Sequence, residues 1–528
     1  MNKKLHNVIL LLLSGVLLTS CNSGLKKNAK DNNPKIGYYL EQYRPQFHFS
    51  PEYGWMNDPN GMVFYKGEFH LFYQYYPDST VWGPMHWGHA VSKDLIRWEH
   101  LPVALYPDSL GFIFSGSAVA DKDNTSGLGT KSVPPLVAIF TYHNPEYERK
   151  GNTNFQNQGI AFSINNGRTW TKYSGNPVLG NPGIRDFRDP KVIWHEGTRR
   201  WIMILAVHDR IRIYSASDLI HWTYESEFGY GTGAHGGVWE CPDLFPLKYE
   251  VNGIVKWVML VSINPGGPNC GSATQYFTGD FDGHRFVPDS PNEKWIDWGT
   301  DNYAGVTWSG IPDTDGRRLF IGWMSNWKYA TVVPTEIWRS AMTIPRELSL
   351  KNENGNFLII SKPARELENL RKESKSIVSQ SGIYSGDQLI QTDSIKLDQS
   401  ELIFEFNLEE THTDSLEIIL ENNHGEKFIT GYSFFTSQFY IDRTNSGDSD
   451  FSEGFAGISR APYTAGKMLK IHLFLDASSA ELFIDDGKLV MTSLCFPSED
   501  FIRLKLSSKG GSTRLEKAEF YELDRIWP

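Results

Sequence analysis

From about residue 45 to 350 the chain is a succession of short β-branched and aromatic runs, such as MVFYKGEFHLFYQYY, PLVAIFTYH, RWIMILAVH, KWVMLVSI and RLFIGWMSN, punctuated by Gly, Pro, Asn and Asp. Runs of that length between turn formers predict strands, and 3.6-residue periodicity is almost absent. A weak repeat sets the architecture. AVSKDLIRW ends at Trp98, AFSINNGRTW at Trp170, IYSASDLIHW at Trp222, and a degenerate YFTGDFDGHRF at Phe286. Each reads as a strand, a polar turn and an aromatic that returns the chain, one hairpin of a recurring four-stranded sheet. Their unequal spacing fits propeller blades of about 40–50 residues with insertions, so roughly 300 residues hold about five blades. The expectation is an all-β protein whose residues 41–360 form a five-bladed β-propeller.

The character then changes. In SKPARELENLRKESK, Leu367 and Leu370 sit among charges with no β-branched run, which predicts a short linking helix within a linker at 361–380. After it, LIFEFNL, YSFFTSQFYI, MLKIHLFLD and AELFIDDGKLVM alternate apolar and polar residues over strand lengths, with a turn at Asp486-Gly487. That pattern predicts a β-sandwich over 381–528.

Lys3 and Lys4 precede an apolar run from Val8 to Leu18 that is too short to cross a bilayer as a helix and reads as a secretory signal, residues 1–20. Leu18-Thr19-Ser20-Cys21 resembles the bacterial lipobox, which implies lipidation at Cys21, a polar tether over 21–40, and an exported lipoprotein held at a membrane on the periplasmic side or the cell surface. Cys241, Cys270 and Cys495 form neither a CxxC pair nor a metal-ligand pattern; one disulfide is possible without a choice of pair. No metal and no cofactor is implied. A formal net charge of −11 without a basic block excludes nucleic acid as a natural partner. Aromatic residues make up 14% of the chain, more than packing alone needs, and flat amphipathic rings stack on sugar faces. No residue pattern specifies an oligomeric state.

Three acidic clusters stand out: Trp55-Met56-Asn57-Asp58-Pro59-Asn60-Gly61, Phe187-Arg188-Asp189-Pro190 and Trp239-Glu240-Cys241-Pro242-Asp243. In each an acid sits near an aromatic and a loop-stiffening Pro. The first is also good turn chemistry, and an isolated Arg-Asp pair is usually a weak surface ion pair. Gly231–Gly236 satisfies GxGxxG, but no βαβ unit surrounds it, so a loop leading to Glu240 is the better reading. His86, His89, His143 and His208 are scattered and read as sugar contacts or structural residues.

Together, and in this order, the three clusters resemble the signature acids of glycoside hydrolase family 32, the invertases, inulinases and levanases. Further matches are Phe72-Tyr73-Gln74, Trp82 in WGPMHWGHA, Phe114-Ser115-Gly116-Ser117, Tyr440-Ile441-Asp442-Arg443 and Asp476-Ala477-Ser478-Ser479-Ala480-Glu481. The resemblance implies a five-bladed propeller followed by a β-sandwich. It implies Asp58 as nucleophile, Glu240 as general acid/base and Asp189 as the residue that grips the fructosyl ring and stabilises the transition state. Asn57, Gln74, Trp82 and Ser115 match positions that line the fructosyl subsite. Arg188 is expected to hold a neighbouring carboxylate charged or to touch the sugar. Arg185-Asp186 nearly duplicates Arg188-Asp189, and Pro190 decides for the second pair. Trp323 is a candidate for the site entrance or the core.

The activity implied is retaining hydrolysis of β-fructofuranosyl linkages in fructans or sucrose, end-on with release of fructose, through a covalent fructosyl-enzyme and with the two carboxyl groups about 5–5.5 Å apart. An endo-acting levanase or inulinase, a fructosyltransferase and a non-catalytic fructan-binding lipoprotein are the alternatives.

Overall fold

The computed structural model describes residues 38–379, 381–390 and 395–528. The expected signal, Cys21 and the tether up to residue 37 lie outside the described residues.

Five antiparallel sheets of four principal strands follow one another along the chain, their innermost strands being Gly54–Tyr65, Phe112–Ala120, Phe187–His195, Val238–Lys248 and Tyr303–Thr307. These strands contact one another in sequence, and the fifth contacts the first, which closes a five-bladed propeller. Second strands such as Leu136–His143 and Arg200–Val207 are buried almost throughout because each blade is covered on both faces, hence their unbroken apolar sequences. Cores sit between neighbouring blades: Phe72, Trp87 and Phe140 between the first two, Ile139, Val192 and Met203 between the next, Ile204, Trp239 and Met259 after that.

All four copies of the repeat fall on the hairpin between the third and fourth strands of blades one to four. The turn acid or amide is what repeats. Asp94 accepts the N–H of Ile96 and Arg97, Asp218 that of Ile220 and His221, Asp282 that of His284 and Arg285, and Asn165 that of Thr169. The fifth blade makes the same connection by a two-residue Asn354-Gly355 turn, both at positive φ, between Arg346–Glu353 and Asn356–Pro363, so it needs no such signature.

The short linking helix is of the 3₁₀ type, and strands on both sides make the linker narrower than 361–380. Strand Asn356–Pro363 runs directly into a six-residue 3₁₀ turn, Arg365–Leu370, and strand Arg371–Ser379 follows at once. Leu367 and Leu370 are three apart, a spacing that a 3₁₀ turn satisfies as well as an α-helix, and both pack against Phe474 and Leu523. Beyond them an eleven-stranded antiparallel ladder forms the sandwich, organised on the long strand Arg503–Leu523 and closed over Leu402, Phe404, Leu473, Leu482 and Phe520.

Buried charge joins the sandwich to the propeller. Asp476 accepts the backbone N–H of Gln46 (2.7 Å) and Phe47 (3.0 Å) and the Nδ1–H of His48 (2.7 Å), while Glu481 accepts the His48 Nε2–H at 2.9 Å and the Ile344 N–H at 2.7 Å. Arg346 bridges Glu481 to Asp297, and Arg443 reaches Asp301 at 2.7 Å. The DASSAE and YIDR segments thus act in the contact between domains. Burial opposes the His48 charge, but the two carboxylates outweigh it and raise its pKa to about 9.

A folded state that binds this proton more tightly than the unfolded chain draws full stability from it below about pH 6.5 and loses it as pH climbs through about 9. Stability from thermal melts is expected to fall across that window by on the order of 3 kcal/mol, and His48→Gln to remove that slope.

Candidate active site

Each blade brings a polar residue within the first five positions of its innermost strand: Asp58, Ser115, Arg188-Asp189, Glu240-Cys241 and Tyr303. In every blade the pairing register slips there, between Met56 and Pro59, Ile113 and Gly116, Arg188 and Lys191, Glu240 and Asp243, and Tyr303 and Val306. Such bulges re-aim side chains out of the regular alternation. Pro190 and Pro242 fall inside two of them, where a missing N–H breaks no ladder bond, and Pro59 closes a third. Asp189, Cys241 and Ala304 take positive φ, which is costly for non-Gly residues.

Cross-blade hydrogen bonds hold the bulges. Gly116 N–H donates to Asn60 Oδ1 (3.2 Å), Asp189 N–H to Thr141 Oγ1 (3.0 Å), Cys241 N–H to Asp189 Oδ2 (3.0 Å) and Ala304 N–H to Ser262 Oγ (3.0 Å), each reaching back to the preceding blade. Position 116 tolerates only glycine, because a Cβ there would lie 2.1 Å from the Ile139 carbonyl oxygen. Deeper on the axis, Lys191 reaches Asp243 Oδ2 (3.0 Å) and the Thr307 carbonyl (2.7 Å), while Thr307 donates its N–H and hydroxyl to the same carboxylate oxygen. Asp243, the second acid of the third cluster, is therefore a structural partner of blades three and five.

The acids meet in one network. Asp58 Oδ2 accepts from the Ser115 hydroxyl at 2.6 Å and the Cys241 thiol at 3.3 Å, and the same thiol lies 3.6 Å from Asp189 Oδ2. Asp58 Oδ1 is buried and has no partner among the described residues. Glu240 Oε1 accepts from Arg188 Nη2 (3.0 Å) and Nε (3.2 Å), and Glu240 Oε2 from the Tyr303 hydroxyl. Arg188 stands 3.9 Å from Asp189 and binds Asp186 on its other side. The near-duplicate acid thus serves to orient Arg188, while Arg185 is an exposed side chain near Glu148.

Burial raises the Asp58 pKa, with the Glu240 charge adding to it and Ser115, the adjacent Asn57 amide and Cys241 opposing. Burial likewise raises Asp189, against the pull of Arg188 and with repulsion from Glu240 and Asp58. Burial also works against the Arg188 charge, but Glu240, Asp189 and Asp186 outweigh it and hold the guanidinium charged. The Cys241 thiol and Tyr303 phenol are pushed far up by burial and by the carboxylates, so both remain donors. Crowded acids around a single guanidinium favour a site that keeps a proton among its carboxyls.

Asn57 is buried and accepts the Trp55 indole N–H at 2.7 Å; Gln74 is buried and donates to the Ile113 carbonyl at 3.1 Å. Trp82 is 39% exposed and meets Phe114, the neighbour of Ser115, edge-on at 5.8 Å. Trp323 is core, fully buried beside Trp55 and Tyr303. Tyr303 escaped the sequence reading, since a lone Tyr in DNYAGV carries no motif; Cys241 stood out only as a member of the third cluster. The Gly231–Gly236 loop opens no helix; Ala234 accepts the Trp239 indole N–H and His235 stacks on that ring. Cys241, Cys270 and Cys495 are unpaired. His89 pairs with His70, and His143 stacks on Phe114. Among the described residues no group of three or more His, Cys, Asp or Glu side chains is arranged to hold a metal.

Lys191→Met leaves Asp243 buried without its cation and is expected to cost about 3–5 kcal/mol in urea unfolding, with Lys191→Met/Asp243→Leu recovering most of that loss.

The profile of the glycosyl hydrolases family 32 N-terminal domain matches residues 48–363, and that of the family 32 C terminal matches 366–522. The chain is 46% identical to a levanase of Bacillus subtilis (strain 168) over 533 residues, covering 100% of this chain and 76% of the levanase. The crystal structure of exo-inulinase from Aspergillus awamori superposes with a TM-score of 0.85 at 36% identity, covering 93% of this chain and 100% of the inulinase. A fructofuranosidase from Schwanniomyces occidentalis, complexed with fructosylnystose, follows with a TM-score of 0.84 at 32% identity, covering 92% and 99%. With propeller, sandwich and acid cluster in place and both profiles matched across them, the chain belongs to glycosyl hydrolase family 32 and is a glycosidase.

Proposed function

We propose that the protein is an exported retaining β-fructosidase that removes fructose from the ends of fructan chains and from sucrose. The observation that carries this reading is the meeting of Asp58, Asp189 and Glu240 in one buried network. Ser115 and Cys241 fix Asp58 Oδ2, the same thiol lies against Asp189, and Arg188 stands beside both Asp189 and Glu240. The relatives named for levan, inulin and fructofuranoside chemistry support the substrate class.

In this mechanism the Asp58 carboxylate attacks the anomeric carbon while Glu240 protonates the leaving oxygen, giving a fructosyl ester on Asp58 and a free leaving sugar. Negative charge develops on Glu240 as its proton leaves. Arg188 and Tyr303 face the two oxygens of that carboxyl and strengthen their hold as the charge grows, which favours the transition state over the ground state. Glu240 then takes a proton from water, and the hydroxide equivalent releases fructose with retention. Asp189 gives Oδ2 to the Cys241 N–H, leaving Oδ1 to accept ring hydroxyls, with Asn57, Gln74, Trp82, Ser115 and Arg188 completing the subsite.

Glu240→Ala is expected to lower kcat on sucrose by about 10²–10⁴-fold and to be partly rescued by azide on a substrate with a good leaving group. Fructose as the sole early product from levan and inulin supports end-on attack; early oligosaccharides identify an endo enzyme, and no product from levan, inulin or sucrose identifies a binding protein. Cys21 is proposed as the lipid-bearing residue of the mature chain, followed by the tether. Cys21→Ser is then expected to move the enzyme from the membrane fraction to the soluble fraction with unchanged specific activity; retention in the membrane fraction contradicts the anchor.

A further inference from the structure

The catalytic residues lie near the starts of the innermost strands, and the ends of those strands line a separate cavity of about 610 Å³. Strand Phe187–His195 joins the two: Arg188 serves the acid cluster, and Trp194 and His195 face the cavity. Six residues of strand put them roughly 20 Å apart. Blades two to five all contribute to the wall, and none of the acids of the catalytic network does.

The wall combines indole faces with unclaimed donors. Trp194 and Trp257 are half-buried there, and neither indole N–H has a hydrogen-bond partner among the described residues. Trp201, by contrast, gives its indole N–H to Thr125 at 2.8 Å. Arg318 packs its guanidinium 4.9 Å over the Phe245 ring, and its one hydrogen bond is a long 3.4 Å contact with the Trp308 carbonyl. Asp243, the acid that acts on Arg318 through space, has its carboxylate engaged by Lys191 and Thr307. Trp194 packs edge-on to Trp201 and Trp257 edge-on to Phe281, and a half-buried cation with spare donors beside these partly exposed indoles offers a recognition surface.

Charge selects the ligand class. Three exposed acids, Asp123, Glu196 and Asp313, line the cavity against Lys122 and Arg318, so an anion is disfavoured. Exposed carboxylates accept hydroxyls, the guanidinium and indole N–H groups donate to them, and the rings stack on C–H faces; together these suit a neutral sugar. The volume falls within the range of about 300–1,000 Å³ for small-ligand sites. We propose that this cavity is a second, non-catalytic carbohydrate site that holds a fructosyl oligosaccharide segment, an inference that rests on the fructan activity proposed above. A second foothold raises the local concentration of polymer at the enzyme without new contacts in the active site.

The full chain carrying Asp58→Asn, titrated with nystose by isothermal calorimetry, is expected to bind two molecules, and addition of Trp257→Ala or, separately, Arg318→Gln to leave one. In the active enzyme, Trp257→Ala is expected to keep sucrose kcat/KM within twofold, which also certifies folding, while raising KM for levan at least threefold and abolishing retardation in a levan gel. One bound molecule in Asp58→Asn, or two that survive both substitutions, overturns the second site. Wild-type enzyme inert on sucrose and levan alike instead overturns the activity reading, so the two failures are distinguishable.

Discussion

Five strands crowded around one axis place many backbone and carboxyl groups out of reach of water, and each such group must find a partner in a neighbouring blade. That requirement shapes the site. In blades two to five the innermost strand breaks register and sends one N–H back to the blade before it, to Asn60, Thr141, Asp189 and Ser262 in turn. The ring is completed where Ser309 donates its N–H to the Met62 carbonyl and accepts that of Phe64. The same breaks turn the acids toward one another. Left-handed backbone at Asp189 and Cys241 is unfavourable by itself and persists because these bonds over-determine it.

Function follows from how unequally the acids are held. Asp58 is anchored through Oδ2 by a hydroxyl and a thiol, Asp189 is fixed through a backbone N–H, and Glu240 sits between a guanidinium and a phenol that respond to its charge. Cys241 links these environments. Its thiol lies between Asp58 and Asp189 while its peptide bond joins it to Glu240, so a single bulge couples all three carboxyls.

The blades were legible because Asx turns leave a chemical mark: the Asp or Asn that accepts the next N–H groups, followed by an aromatic, recurs four times. The fifth blade turns through Asn354-Gly355 and leaves no such mark. The three acids were legible from dense clusters and their resemblance to a family. Tyr303 was not, because a residue selected for where a bulge points it has no sequence pattern of its own. Leu367 and Leu370 marked a short helix but not its type, because a spacing of three is shared by 3₁₀ and α geometry, and both pack in one cluster with Phe474 and Leu523. DASSAE and YIDR were visible only as matches; their work, binding His48, Arg346 and Asp301 across the domain contact, depends on residues more than a hundred positions away.

The account stands on Asp58 and Glu240 acting from opposite sides of one sugar bond. Its most direct test is to quench turnover of fructosyl fluoride by Glu240→Ala enzyme, digest it and locate the fructosyl mass by peptide mass spectrometry, with the anomeric form of the wild-type product read by NMR. The account predicts a fructosyl ester on the peptide containing Asp58 and a product of retained configuration. A label on another residue, or an inverted product, contradicts it.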